Sequence, residues 1–179
     1  MRKRPLVGLL RFLSLTFGGL FAGFLVCVLV LESSLRHYDR FVYAQVRQVE
    51  LDRLDILASV TLIPALITTA IVVISAINSR GRAFWLTLAA LGLLATVFVT
   101  TLIFNLPINS DQAGWNVHAP PADWAHVRDR WQIAHAVRTC AAVLAFALLG
   151  TAAMQRMPAG PESPARDEAS RRPPAPAAR

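Results

Sequence analysis

Four long stretches of the chain are apolar and uncharged, and they constrain the fold more than any other feature of the sequence. Three of them, residues 12–31, 56–77 and 83–104, each reach the ~20 residues that a helix needs to cross ~30 Å of hydrocarbon. The fourth, residues 139–155, reaches that length once it extends back past Arg138. We therefore predict an all-α fold, a four-helix transmembrane bundle. Its spans are expected at about residues 9–32, 56–78, 83–105 and 133–155.

Composition and charge support a chain that lies in a bilayer and predict its orientation. Apolar residues make up 55% and charged residues 16%, against about 25% charged in soluble domains. This excludes a disordered chain, and the formal charge of +7 is not clustered as in a nucleic-acid binder, so we expect no nucleic-acid partner. With four spans, one side carries both termini and the 78–82 loop, with 11 of 18 basic and 3 of 11 acidic residues. The positive-inside rule predicts cytoplasmic termini, in a plasma membrane such as the bacterial inner membrane.

The segments outside the spans divide the chain into a membrane domain, residues 1–156, and a tail, residues 157–179. The tail holds six prolines and no aromatic residue, so we expect it to be disordered in the cytoplasm. The first outer loop, residues 32–55, lacks proline and glycine and repeats apolar residues at helical spacing. We predict an extramembrane helical extension there, with Arg47 and Glu50 paired on its surface.

Polar and aromatic side chains concentrate in the outer loops and at the outer edge of the fourth span. All four histidines lie there, and three of the four tryptophans lie between residues 115 and 131. We therefore expect a binding site at an aromatic mouth on the outer end of the bundle.

Asn105 and Asn109 flank Pro107 where the third span is expected to end. Proline biases the residue before it away from the α region, so the helix is predicted to stop here. The two asparagines either cap the freed backbone groups, which is the simpler interpretation, or offer their amides to a ligand.

A stripe of polar and aromatic residues follows the Pro-Pro pair at residues 120–121, which is typical of a helix start. Its members recur at steps of 4, 3, 4 and 3, and so share one helix face. They are Trp124, Arg128, Trp131, His135 and Arg138. A tryptophan belt with a snorkelling arginine explains part of the stripe. Because an intramembrane ionisable residue is a functional-site hypothesis by default, an inward-facing pair of His135 and Arg138 is the alternative.

Glu32, at the end of the first span, has two interpretations. It pairs with Arg36 at the interface, or it points inward to contact Arg138 or His135. No metal site is predicted, since no HxxxH, HxxE or CxxC spacing occurs. Cys27 and Cys140 are interpreted as small membrane-embedded residues.

These motifs resemble the anthrone oxygenase-like membrane family. The resemblance rests on Asn105-Leu106-Pro107-Ile108-Asn109, on Trp115, on the segment 120–124 and on the W-x(3)-H-x(2)-R pattern of residues 131–138. It covers about residues 9–155 and implies a small four-helix membrane protein. In fungal members it implies oxidation of an anthrone to an anthraquinone by O2, with no established need for flavin or haem. The family's pattern carries over to Asn105, Asn109, Trp131, His135 and Arg138.

The resemblance suggests a mechanism without a cofactor, in which O2 is the cosubstrate. His135 would be the base, since the ordinary pKa of imidazole near 6.5 suits proton abstraction at neutral pH. Arg138 and Asn109 would stabilise the enolate oxygen, and Trp131 and Trp124 would stack on the flat ring. Asn105, Trp115 and Glu32 complete the expected substrate-binding set.

Other function classes stay open at the level of the sequence. One is a non-enzymatic module that binds a quinone, a lipid or a partner protein at the outer aromatic mouth. Another is a haem or metal redox protein using His135 with His37 or His118. A small transporter with Arg138 and Glu32 as its charged relay is disfavoured by the absence of a repeat. Small residues in the segment 18–23 permit close helix approach, within one chain or in a homodimer.

Overall fold

The computed structural model describes residues 3–78 and 80–155, and side chains from residue 5 onward. Within these ranges every regular element is helical. The elements are α1 (Lys3–Leu35), α2 (Arg40–Ser75), α3 (Arg82–Thr100), a π-helical turn (Thr101–Asn105), α4 (Leu106–Ala113) and α5 (Trp124–Met154). The predicted tail, residues 157–179, lies outside the described residues.

Four segments are long and apolar enough to cross a membrane, which confirms the predicted four-helix architecture. They are Pro5–Leu35, Arg40–Ser75, Arg82–Ala113 and Trp124–Met154. At 1.5 Å per residue, segments of 31 to 36 residues are about 46–54 Å long, well beyond ~30 Å of hydrocarbon. The first loop is helical as predicted, since α1 and α2 extend until only residues 36–39 separate them. Asp39 begins α2 by accepting hydrogen bonds from the amides of Phe41 (2.9 Å) and Val42 (3.0 Å).

The helices form a closed ring in which α1 contacts α2 and α5, and α3 contacts the same two helices. Half of the residues in the central apolar cluster are alanines, and many large apolar side chains point outward, as expected where lipid replaces water. Gly18 and Gly19 lie against α5. A Cβ added at Gly19 would come within 2.9 Å of Phe146, so these glycines serve a contact within the chain.

The helix of the third span does not end at Pro107, and that prediction was wrong. The π-helical turn carries the chain past residue 105, and the amide of Leu106 donates to the carbonyl of Thr101. Proline has no amide to donate, and the wider turn places Pro107 in the first turn of α4, where none is needed. The chain therefore stays helical to Ala113, and Asn105 makes no capping hydrogen bond.

Alternation of the four spans places residues 36–39 and 114–123 together at one end of the bundle. We call this the polar end, because buried polar side chains accumulate beneath it. The opposite end holds residues 76–78 and 80–81 and the end of α5.

Candidate functional site

The half of the α5 stripe that lies farther from the polar end faces the interior of the bundle. Trp131, His135 and Arg138 are 4%, 1% and 7% exposed, so neither His135 nor Arg138 contacts lipid in the manner of a belt. The upper part, Trp124 and Arg128, is half-buried, with the guanidinium 4.9 Å from the indole centroid.

His135 is held by two neighbours that leave one ring nitrogen unused. Nε2 lies 3.0 Å from the carbonyl oxygen of Leu25, and because a carbonyl only accepts, Nε2 is assigned the proton. The ring stacks on Trp131 at 4.7 Å between centroids and 7° between planes. Nδ1 is buried and has no hydrogen-bond partner among the described residues, so its lone pair is available to accept a proton.

Arg138 lies one helical turn below His135 and also keeps an unused group. Its Nε is buried and finds no hydrogen-bond acceptor within the described part of the chain. A buried donor of a cationic group is expensive to leave unpaired, so this N–H is a candidate contact for a ligand oxygen.

Two cavities meet at these residues. The first, which we call the polar cavity, has a volume of about 30 Å³ and holds no more than a few water molecules. Its polar walls are Arg47, Glu50, Asp55, Asn109, Trp131, His135 and Arg138. The second, which we call the apolar cavity, has a volume of about 150 Å³ and shares Asp55, Ala58, Asn109 and Arg138 with the first. Its other walls are mainly apolar residues of α1, α2 and the third span.

A buried ion cluster lies above the polar cavity, centred on Arg47. Its Nη1 donates to Glu32 (3.2 Å) and to Glu50. Its Nη2 donates to Asn109 (3.1 Å) and Gln112 (2.9 Å). The three charged side chains are each no more than 5% exposed, so the predicted surface location of the Arg47–Glu50 pair was wrong.

Glu32 points inward, as one of the two interpretations held, but it pairs with none of Arg36, Arg138 and His135. Arg36 bonds Asp129 (3.1 Å) and Gln132 instead, and the Glu32 carboxylate accepts from Arg47 and from Gln132 (2.9 Å). The cause is the close packing of α2 along α1, which brings Arg47 inward.

The two asparagines of the Asn-Pro motif differ in their surroundings. Asn109 lines both cavities, and its Oδ1 accepts from Trp131 Nε1 at 2.6 Å and from Arg47. Its Nδ2 donates to Asp55 (3.1 Å). Asn105 is fully buried, donates to the backbone oxygen of Trp131 (3.4 Å) and lines neither cavity.

A model of the anthrone oxygenase family matches residues 56–148, just over half of the chain, including the Asn-Pro motif and the α5 stripe. The chain belongs to the anthrone oxygenase family. This confirms the resemblance drawn from those motifs. No curated protein and no solved structure matches this family member.

In this anthrone oxygenase family member the polar end is closed rather than an open aromatic mouth. Tyr43 is fully buried, with ring centroids 6.4 Å from Trp115 and 5.5 Å from Trp124. Its hydroxyl accepts a hydrogen bond from Gln112 Nε2 at 3.1 Å, and Gln112 in turn accepts one from Arg47. The packed aromatic side chains are therefore joined to the Arg47 cluster. Trp115 and Trp124 consequently lie outside both cavities, as does Glu32.

Cluster residues missed from the sequence come from the first loop and from α4. Arg47 and Glu50 were noticed as a pair but placed on the surface, and Tyr43, Asp55 and Gln112 were not singled out. The available signal was that Tyr43, Arg47 and Glu50 share a helix face separate from the one that carries Val42 and Val49. Within residues 3–78 and 80–155, no three His, Cys, Asp or Glu residues are grouped to hold a metal ion.

Proposed function

We propose that this protein oxidises an anthrone-like hydroxyaromatic compound to a quinone with O2, at the two cavities between the helices. The observation that carries the proposal is the pair of unused groups on α5. His135 offers an unpartnered acceptor and Arg138 an unpartnered donor, and both residues line the polar cavity. Family membership supplies the reaction class.

In this proposal His135 is the base and Arg138 binds the developing oxyanion. Nδ1 takes a proton from the methylene carbon of the anthrone, whose electrons move onto the carbonyl oxygen opposite. The N–H of Arg138 stabilises that oxygen, because a preorganised cationic donor is most effective where charge develops. Proximity of base and oxyanion partner then lowers the barrier to ionisation.

The carbanion form of the substrate reacts with O2 directly. A carbon–oxygen bond forms, and the proton held by His135 passes to the distal oxygen to give a hydroperoxide. Loss of the second hydrogen from carbon, with cleavage of the O–O bond, gives the new carbonyl and one water. The substrate supplies all four electrons, so no flavin, haem or metal is needed in this scheme.

Other residues of the predicted site are assigned positioning roles. Trp131 stacks on His135, and the Leu25 carbonyl fixes which nitrogen carries the proton. Asn109 has its amide engaged by Asp55, Trp131 and Arg47, so it orients the walls of the cavity. Arg138 alone then holds the oxyanion.

The test is oxygen uptake by the purified protein in lipid nanodiscs supplied with anthrone, corrected for spontaneous oxidation. His135→Gln should lower the rate by about 10²- to 10⁴-fold, the usual contribution of a general base. His37→Gln is the matched control, because His37 is exposed and lines neither cavity. Full oxygen uptake by His135→Gln would remove the base assignment. Binding without oxygen uptake in the unmodified protein would favour a non-enzymatic quinone-binding module.

The same proposal places the protein in a plasma membrane with both termini in the cytoplasm. The support is the loop with Arg80 and Arg82, which lies at the end of the bundle where α1 begins. Reporter fusions at residues 37 and 80 test the orientation. An absorption spectrum and a metal analysis of the purified protein test the absence of a cofactor.

A further inference from the structure

We propose that the substrate reaches Arg138 from the hydrocarbon of the bilayer, through a side opening of the apolar cavity between α2 and the third span. That the entering molecule is the substrate rests on the proposed function. The opening and the chemical class of the molecule that enters it do not rest on that function. The ligand class is a lipid-dissolved aromatic ketone, with a carbonyl oxygen at Arg138 and its flanking rings toward lipid.

The apolar cavity is a cleft with a buried floor and an exposed rim. Phe21, Leu62 and Arg138 form the floor and are each less than 9% exposed. The rim consists mainly of outward-facing apolar residues from two helices, Ile63 on α2 and Phe98, Leu102 and Leu106 on the third span, with the exposed polar residues Asp55 and Ser59 also on α2. A cleft whose rim faces outward on both sides opens toward whatever surrounds the bundle.

Hydrocarbon surrounds the part of the rim that Ile63 and Phe98 form. Counted at about 1.5 Å per residue, Ile63 lies about 18 Å from Ser75 along α2, and Asp55 about 30 Å. Leu102 lies about 30 Å from Arg82 along the third span. With ~30 Å of hydrocarbon measured from Ser75 and Arg82, Ile63 and Phe98 face lipid tails, and Leu102 and Asp55 lie at their boundary.

Access from water at the polar end is blocked by packed side chains. Tyr43 and Gln112 are fully buried there, and the Arg47 cluster lies between them and the polar cavity. The side opening leads to Arg138 without passing these packed side chains.

The size and chemistry of the cleft define what enters it. A cavity of about 150 Å³ lined by aliphatic and aromatic side chains holds one benzene-sized ring. A larger ring system would therefore extend through the opening into lipid. Arg138 offers an unpaired N–H at the floor, which requires an acceptor oxygen at the edge of the ring system that enters the cleft. The π-helical turn forms one wall, and such turns are frequent at functional sites.

The experiment measures equilibrium binding of radiolabelled anthraquinone, which is not turned over, to the protein in nanodiscs. Leu102→Trp places a bulky ring in the opening and should weaken binding at least about tenfold, or about 1.4 kcal/mol. Ile103→Trp is the matched control, because Ile103 is the adjacent exposed residue and does not line the cleft. Should Leu102→Trp fail to fold, Ile63→Trp with Ile67→Trp as its control makes the same comparison across the opening.

Anthracene tests the contact with Arg138, because it has the same shape without the carbonyl oxygens. It should compete with anthraquinone at least about tenfold more weakly, the cost of leaving a cationic donor unpaired. Equal competition would overturn the carbonyl assignment. Wild-type affinity in both Leu102→Trp and Ile63→Trp would overturn the side opening.

Oxygen uptake measured on the same variants separates this inference from the proposed function. Binding that Leu102→Trp blocks and Ile103→Trp preserves, without any oxygen uptake, would sustain the opening and refute the oxygenase. Undiminished oxygen uptake by Leu102→Trp, together with unchanged anthraquinone binding, would sustain the oxygenase and refute the opening.

Discussion

Replacement of Arg47 by methionine tests whether the buried ion cluster holds the polar end together. The substitution keeps an unbranched side chain but leaves the carboxylates of Glu32 and Glu50 buried without their cation. Glu32 retains a hydrogen bond from Gln132, whereas Glu50 loses the basic side chain with which it forms an ion pair. Removal of one partner from a buried ion pair costs about 3–5 kcal/mol, and we expect a loss of that size.

The assay is unfolding in mixed micelles of increasing dodecyl sulfate content, followed by circular dichroism. Arg53→Met is the matched control, because Arg53 is 82% exposed and pairs with Asp52 at 3.0 Å on the surface. A surface pair contributes about 0–1 kcal/mol, so this variant should unfold almost like the wild type.

A triple variant separates the charge imbalance from loss of packing. Arg47→Met combined with Glu32→Gln and Glu50→Gln removes the cation and both anions together. Removal of the cation together with both anions leaves no unpaired charge buried in the cluster, so part of the lost stability should return. If Arg47→Met alone lowers the free energy of unfolding by less than about 1 kcal/mol, the stabilising role of the cluster is refuted. Its charges would then be hydrated rather than buried.

Two further predictions use the same micelle titration. Gly19→Ala should destabilise the protein by about 1 kcal/mol, because its methyl group would meet the ring of Phe146, whereas Gly23→Ala has open space and should stabilise it by up to about 1 kcal/mol through helix propensity. Equal effects at the two glycines would contradict the close contact of α1 with α5. Asn109→Leu should cost about 1–3 kcal/mol, because it removes the acceptor of the indole N–H of Trp131. An unchanged unfolding midpoint in Asn109→Leu would show that a water molecule accepts the hydrogen bond of Trp131 in place of the amide oxygen.

The four spans could be predicted from the sequence because an uncharged apolar run of membrane length has few alternatives to a helix. The end of the third span could not, since a π-helical turn before Pro107 depends on packing that no local pattern records. For the same reason Asn105 was expected at a helix exit and is instead buried against α5.

The location of Arg47 shows where reasoning from the sequence went wrong. A polar helix face is expected to contact water in a soluble protein, and the first loop was interpreted that way. In the structure Val42 and Val49 on the opposite face are exposed, and Tyr43, Arg47 and Glu50 point inward. A loop helix that continues a membrane span follows the orientation of that span, in which polar residues face the bundle.

The contrast between the two buried arginines explains why Arg138, rather than Arg47, is the candidate ligand contact. Every N–H group of the Arg47 guanidinium lies among acceptors that include Glu32, Glu50 and Asn109. The fold can therefore satisfy a buried arginine when stability is all that is required. The Arg138 Nε, one turn from the unpartnered nitrogen of His135, is left without an acceptor at the floor of a cleft that holds one ring. A buried donor without an acceptor lowers the stability of the protein. A ligand oxygen that accepts the hydrogen bond from this N–H explains why the lower stability is tolerated at this position.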